Sequence, residues 1–127
     1  MVQWALLERL LFRAAADPGL RAYLDETFSA WPFTDATVEI SPALPGVYLL
    51  YKQGRLIYIG LAVNGSGIRQ ELEGHRRGDY GSCTQGATAF VFELAADPVG
   101  LYRRYLEAHR LRHSGRLPPC QEHSDPD

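Results

Sequence analysis

Twelve of the 13 cationic side chains in this 127-residue chain are arginine, and Lys52 is the exception. The planar guanidinium fork suits phosphate recognition, although the same skew follows as readily from genomic base composition. Two tyrosines, Tyr48 and Tyr58, stand in β-rich runs, Gly46–Tyr51 and Arg55–Gly60, on either side of Lys52-Gln53-Gly54. A phenol with its ordinary pKa of about 10 is a poor base at neutral pH, and a nearby cation is what would favour the phenolate. Glu107 falls among Arg103, Arg104 and Arg110. It is either a surface carboxylate in i−4 and i+3 pairs with Arg103 and Arg110, or a solvent-facing ligand at a cleft. His109 and His113 have a metal-compatible spacing without a third ligand, and Cys120-x-x-His123 with Cys83 could make a zinc site. Gly65-Ser66-Gly67 could cradle phosphate through backbone amides, or Ser66 could simply cap the helix that follows.

The elements that must position these groups follow from periodicity and punctuation. Helices are predicted over 2–15 and 19–30, broken at Asp17-Pro18-Gly19 and ended by Pro32. A short strand is expected at Thr37–Ile40. The two tyrosine runs form a hairpin. If its loop is Lys52-Gln53-Gly54, with Gly54 left-handed in a bulge, Tyr51 pairs with Arg55, and Tyr48 lies opposite Tyr58 on one face. A loop of only Gln53-Gly54 would put the two rings on opposite faces. A short helix near 67–76 carries Arg69, His75, Arg76 and Arg77, and a loop over 78–86 leads to a third strand, Thr88–Leu94. Asp97 as N-cap and Pro98 at the first position start a helix that runs to about Ser114 and is stopped by Gly115. Its apolar stripe is Leu101, Tyr102, Tyr105, Leu106 and His109, with Glu107 pointing away. Residues 117–121 read as extended. The class is α+β: a small three-stranded, mainly antiparallel sheet flanked by helices, with two additional N-terminal helices.

Composition bounds the rest. With 46% hydrophobic and 22% charged residues, the chain suits one domain. No apolar run approaches the ~20 residues a membrane helix needs, so no membrane association is expected. The apolar stretch 5–15 is interrupted by Glu8 and Arg9 and does not read as a secretory signal. Two cysteines suggest a reducing, cytoplasmic compartment with both as small buried hydrophobes. Charge is uneven: residues 1–45 hold 3 basic and 6 acidic side chains, residues 46–123 hold 10 and 7, and the tail adds Asp125 and Asp127.

Gly46-Val47-Tyr48 and Tyr58-Ile59-Gly60, followed by Arg69 nine residues after Gly60 and by Glu107 on the long helix after the third strand, resemble the signature of the GIY-YIG nuclease superfamily. The likeness is to a small stand-alone member of bacterial type and covers about residues 45–121. With it the chain is expected to divide into three parts: an N-terminal helical extension over 1–45, too short and proline-broken to stand alone and so packed on the body, a nuclease domain over 46–121 and an acidic tail over 122–127. The likeness implies hydrolysis of phosphodiester bonds in DNA with one divalent metal ion, Mg2+ or Mn2+. Tyr48 would be the general base or its relay to water, with Tyr58 hydrogen-bonding at the same site. Arg69 would contact the scissile phosphate, and Glu107 would be the sole protein ligand of the metal.

Those residue types suit the chemistry, which needs a positioned water, a proton acceptor and neutralised charge at the phosphoryl oxygens. An arginine fork matches phosphate, and Mg2+ commonly uses only one or two carboxylates. Gly46, Gly60, His75 and Gln121 are auxiliary candidates, and Arg76, Arg77, Arg103 and Arg110 are candidates for the nucleic-acid backbone. The chain departs from the family pattern at Leu61, where many members carry a polar residue, and at Gln121, where many carry Asn. Glu73 stands four residues after Arg69 where a His is common, and His75 reads as a solvent-exposed loop histidine or an auxiliary proton carrier. These departures leave a second expectation: a catalytically weak or inactive nucleic-acid-binding or adaptor module on the same fold. A homodimer or protein partner through the N-terminal helices belongs to it.

Overall fold

The computed structural model describes residues 30–63, 65 and 67–123. The elements are β1 (Trp31–Pro32), α1 (Asp35–Glu39), β2 (Gly46–Lys52), β3 (Arg55–Ala62), α2 (Gly67–Arg77), α3 (Ser82–Gln85), β4 (Ala89–Leu94), α4 (Pro98–Arg112) and α5 (Pro119–His123). The helix expected at 2–15, all but Ala30 of the helix expected at 19–30, the Ser66 cap and the tail 124–127 lie outside the described residues.

The class is α+β, but the sheet has four strands rather than three, in the order β1-β4-β2-β3, every pair antiparallel. The extra strand, β1, pairs Trp31 with Phe90 and Pro32 with Ala89. Two residues carry no alternation, and proline is tolerated in a sheet only at an edge, so this strand leaves no periodic trace. The strand expected at Thr37–Ile40 is instead part of α1. Thr34 caps that helix, accepting from the Thr37 amide at 3.2 Å, while the Thr37 hydroxyl accepts from the Thr34 amide at 3.1 Å. The reciprocal cap decides for helix where a strand was expected. Likewise the loop 78–86 contains α3, and the segment 117–121 enters α5 instead of staying extended. The start of α4 is as expected: the Asp97 carboxylate accepts from the Gly100 amide at 3.1 Å, with Pro98 in the first turn.

The central strand β2 is buried along Gly46–Tyr51. Its even-numbered residues Tyr48 and Leu50 share one face with Phe90 and Phe92 of β4 and with Tyr58 and Gly60 of β3. Helix α2 packs on that face, delivering His75 to Tyr48. Val47, Leu49, Val91 and Glu93 line the opposite face, where α4 packs and Tyr105 reaches Glu93. Phe33 and Val38 join the core, with the Phe33 and Phe90 rings 5.8 Å apart, so the described residues 30–45 belong to the same body.

The hairpin reaches the expected shared tyrosine face by a different device. Its turn has two residues, flanked by Lys52 and Arg55. Gln53 at φ 52° and Gly54 at φ 81° are both left-handed, as the two-residue turn that matches strand twist demands. That turn alone would put the tyrosines on opposite faces. The register then shifts: Tyr51 pairs with Leu56 but Leu50 pairs with Tyr58, so Ile57 is an extra residue in β3. This bulge flips the parity back. Tyr48 accordingly lies opposite Gly60, two pairs along from Tyr58, rather than opposite Tyr58 itself.

Candidate active site

Gly46 and Gly60, the two glycines in the strands of the hairpin, are there for clearance. A Cβ on Gly60 would lie 2.0 Å from Cζ of Tyr48, whose ring crosses directly over that backbone. A Cβ on Gly46 would lie 2.2 Å from the Glu93 carbonyl oxygen on β4. One glycine admits the tyrosine, and the other lets the neighbouring strand close.

Tyr48 is buried, 1% exposed, and its hydroxyl is 2.8 Å from Nε2 of His75. The other ring nitrogen, Nδ1, is 2.7 Å from the Thr84 hydroxyl on α3. His75 is therefore not a solvent-exposed loop residue: it lies on α2, 1% exposed, at the centre of three tyrosines. Its ring centroid is 5.5 Å from that of Tyr48, 5.0 Å from Tyr58 and 4.5 Å from Tyr80. The Tyr48 and Tyr58 rings are 6.2 Å apart. Burial lowers the His75 pKa to about 4, so the ring is neutral at pH 7. A neutral imidazole donates from one nitrogen and accepts at the other, and either tautomer satisfies both of its neighbours. Thr84, His75 and Tyr48 thus form a continuous proton path.

A carboxylate, not a guanidinium, stands beside the phenols. Glu71 is half-buried one helical turn before His75 and accepts from the Tyr80 hydroxyl at 3.0 Å. Burial, followed by the charges of Tyr58, Glu71, Tyr80 and Tyr102, raises the Tyr48 pKa well above the ordinary value. Burial, followed by Tyr102, Glu71 and Tyr80, pushes Tyr58 up to about 12. Both phenols are protonated at pH 7. On the open edge of β3, the Gln121 Oε1 accepts from the Ile59 amide at 3.0 Å, and its Nε2 donates to the Ile59 carbonyl. Its amide thereby acts as one residue of a missing neighbour strand, and Nε2 lies 3.5 Å from the Tyr102 hydroxyl.

Other expected site residues stand elsewhere. The Arg69 Nε donates to the Ser41 carbonyl at 2.7 Å, which turns its guanidinium toward the α1–β2 connection rather than the tyrosines. Arg76 ties α2 to α1: Nε donates to Asp35 at 2.7 Å, NH1 donates to the Phe33 carbonyl at 2.9 Å, and the guanidinium lies 5.4 Å from the Phe33 ring centroid. Arg77 chelates Asp79 through two nitrogens, at 2.7 and 3.1 Å. Glu107, Arg103 and Arg110 are exposed on α4, and among the described residues Glu107 forms no ion pair with either arginine. The rings of His109 and His113 stack 4.1 Å apart, and His109 Nδ1 bonds the Arg116 carbonyl at 2.9 Å. Cys83 and Cys120 are not separate buried thiols but a disulfide, which also removes the zinc arrangement suggested by their spacing. Among the described residues no three His, Cys, Asp or Glu side chains come together as a metal-binding group.

Sequence reasoning missed Glu71, Tyr80, Thr84 and Tyr102. A signal for Glu71 existed. It precedes His75 by four residues, so the two share a helix face, whereas Arg69 lies roughly 200° around the helix from Glu71. A scan against models of known protein families finds no match to this chain, and neither does a search of curated proteins.

Proposed function

We propose that this chain is a GIY-YIG-type endonuclease that hydrolyses phosphodiester bonds in DNA with one divalent metal ion, Mg2+ or Mn2+, in the cytoplasm. The observation that supports it most is the shared face. Tyr48 and Tyr58 stand together over a hairpin whose Gly46 and Gly60 admit no side chain, and Tyr48 is joined to a neutral, oriented histidine. A proton-bearing group, a base and a group that orients the base are the parts an activated site requires. Tyr48 would relay a proton, taking one from the attacking water as its own moves toward His75; Thr84 holds the imidazole in place, and half-exposed Tyr58 would hydrogen-bond the phosphate side.

Hard oxygen donors suit these cations, and one carboxylate with retained waters is a common arrangement for Mg2+. Glu71 is the carboxylate at the tyrosines, so it would hold the metal there in preference to Glu107. Bound metal supplies charge stabilisation at the phosphoryl and leaving oxygens. Arg103 and Arg110, exposed on α4, suit the flanking phosphates.

A second reading, binding without turnover, draws support from Arg69. Its guanidinium is bonded to the Ser41 carbonyl, and among the described residues the α2 arginines bond Ser41, Phe33, Asp35 and Asp79 rather than Tyr48 or Tyr58. On that reading a second copy or another protein would be a partner as plausible as DNA.

One assay separates them: single-stranded, duplex, flap and junction DNA with Mg2+, Mn2+ or EDTA. We expect metal-dependent cleavage that falls by about a hundredfold or more in Glu71→Gln, because metal charge stabilisation is worth several kcal/mol and each ~1.4 kcal/mol is tenfold. A collapse in Glu107→Gln instead would return the metal to the ligand the resemblance implies. Salt-dependent binding with no cleavage of any substrate would establish the second reading.

A further inference from the structure

Two short helices hold the tyrosine site from outside the sheet, and one covalent bond joins them. Helix α3 carries Cys83 and, next to it, Thr84, which bonds His75. Helix α5 carries Cys120 and, next to it, Gln121, which bonds both backbone groups of Ile59 between Tyr58 and Gly60. The Cys83–Cys120 bridge thus sits one residue from each of the two clamps, across a separation of 37 residues. Cys83 is exposed, whereas Cys120 is 1% exposed. A reductant therefore meets one sulfur and not the other.

We propose that Cys83–Cys120 is a thiol–disulfide switch that sets the geometry of the tyrosine site. A thiolate of an external dithiol attacks Sγ of Cys83. The sulfur–sulfur bond breaks, and Cys120 leaves as a thiolate that takes up a proton. The second thiol of the reductant then displaces Cys83. Two electrons pass to the protein, which ends with two thiols, while the dithiol becomes a disulfide. Once the bridge is open, α3 and α5 are held only by their own hydrogen bonds and apolar contacts, and the entropy of the intervening loop is released. Both clamps loosen together: Thr84 from His75, and Gln121 from Ile59. The sheet persists, because β2 remains paired with β3 and β4 and buried on both faces. In a reducing compartment such a bond is transient and signals redox state rather than serving as a permanent staple.

The test reads structure rather than cleavage, so it stands or falls apart from the hydrolytic proposal. Amide hydrogen exchange and the His75 ring nitrogen signals are followed by NMR on the intact chain, oxidised and then reduced with dithiothreitol. Reduction should speed exchange of the Ile59 amide about tenfold or more and move the His75 signals, while the Leu49 and Val91 amides keep their protection. Cys83→Ser should reproduce the reduced state without reductant. Thr84→Ala should move only the His75 signals, and Gln121→Ala only the Ile59 exchange. Two free thiols with both reporters unmoved would overturn the proposal. Equal loss of protection across the whole sheet would also overturn it, since the bridge would then be a staple for the fold.

Discussion

The two faces of the sheet each bury a titratable group, and they do opposite things with it. Under α4, Glu93 is 3% exposed, and one oxygen accepts from the Tyr105 hydroxyl at 2.7 Å. Burial pushes its pKa up to about 7, against a smaller lowering by that hydrogen bond and by the charge of Arg104. Under α2, His75 is equally buried, but its path runs from Thr84 to Tyr48, and its ring is packed by Tyr58 and Tyr80. Tyr80 is 48% exposed and bonded to Glu71, so the cluster opens to solvent. A perturbed pKa alone would nominate both faces as sites. The second packs the perturbed group against a half-exposed tyrosine and its carboxylate partner, and that opening to solvent is what marks it as the candidate site.

The comparison is broken most severely at the two glycines. Gly60→Ala and Gly46→Ala should each cost about 3 kcal/mol or more, or prevent folding, because the added methyl overlaps buried atoms. They differ in rescue. At Gly60 the obstruction is the Tyr48 side chain, so Gly60→Ala should be substantially recovered by Tyr48→Ala. At Gly46 it is the Glu93 carbonyl, and no side-chain change removes it. Urea denaturation of the singles and pairs checks this. Equal rescue of both would mean that the hairpin packs otherwise than described.

A finer difference lies in pH. Folding holds His75 at about 4 against an ordinary 6.5, so the folded state resists a proton that the unfolded chain accepts. Its contribution is present above about 6.5 and is lost as pH falls toward 4, by about 3 kcal/mol. Glu93 runs the other way. At about 7 against 4.5, the folded state keeps a proton that the unfolded chain releases. Its contribution is present below about 4.5 and is lost as pH rises toward 7, by a similar amount. In the intact protein the two oppose one another over this window. In His75→Gln, stability should therefore fall with rising pH relative to the parent, and in Glu93→Gln it should rise. Unfolding free energies at pH 4.5, 5.5 and 6.5 measure the two slopes, and parallel curves would show that the faces are not electrostatically distinct.

Features carried by local signals were legible in the sequence: the hairpin and its glycine turn, the Asp97-Pro98 start of α4, and its buried stripe of Leu101, Tyr105 and His109. The shared tyrosine face was also legible, although the bulge at Ile57 that produces it was not, because nothing in the chemistry of Arg55–Gly60 marks one residue as extra. His75 lies between Gly74 and Arg76 in a polar stretch, and its burial comes from Tyr80, α3 and the sheet, none of which its neighbours in sequence reveal. The disulfide joins residues 37 apart on two helices too short to be periodic. Arg69 follows Gly60 at the distance the resemblance expects, but the phase of α2 brings His75 to Tyr48 and, as the charged side chain, Glu71 to Tyr80.

This substitution of one residue for another yields the smallest effect and the most direct test of which helix serves the site. Tyr58 is pushed up to about 12 chiefly by burial, with lesser contributions from Tyr102, Glu71 and Tyr80. Glu71→Gln keeps the shape of the side chain and removes its charge, so burial is unchanged while one repulsion is gone. The Tyr58 pKa should drop by roughly half a unit, as befits a half-buried charge worth under ~1 kcal/mol. Glu107→Gln, on the exposed side of α4, removes the same charge from the other layer and should leave Tyr58 where it is. Carbon-13 labelling of the tyrosine ring and an NMR titration without metal resolve Tyr58 from the other six tyrosines. The two variants have the same net charge, so a general change in the field of the protein would move Tyr58 alike in both and cannot imitate the difference. A larger drop in Glu107→Gln than in Glu71→Gln would place the carboxylate of the site on α4, and the contrast between the two faces would have to be redrawn around that helix.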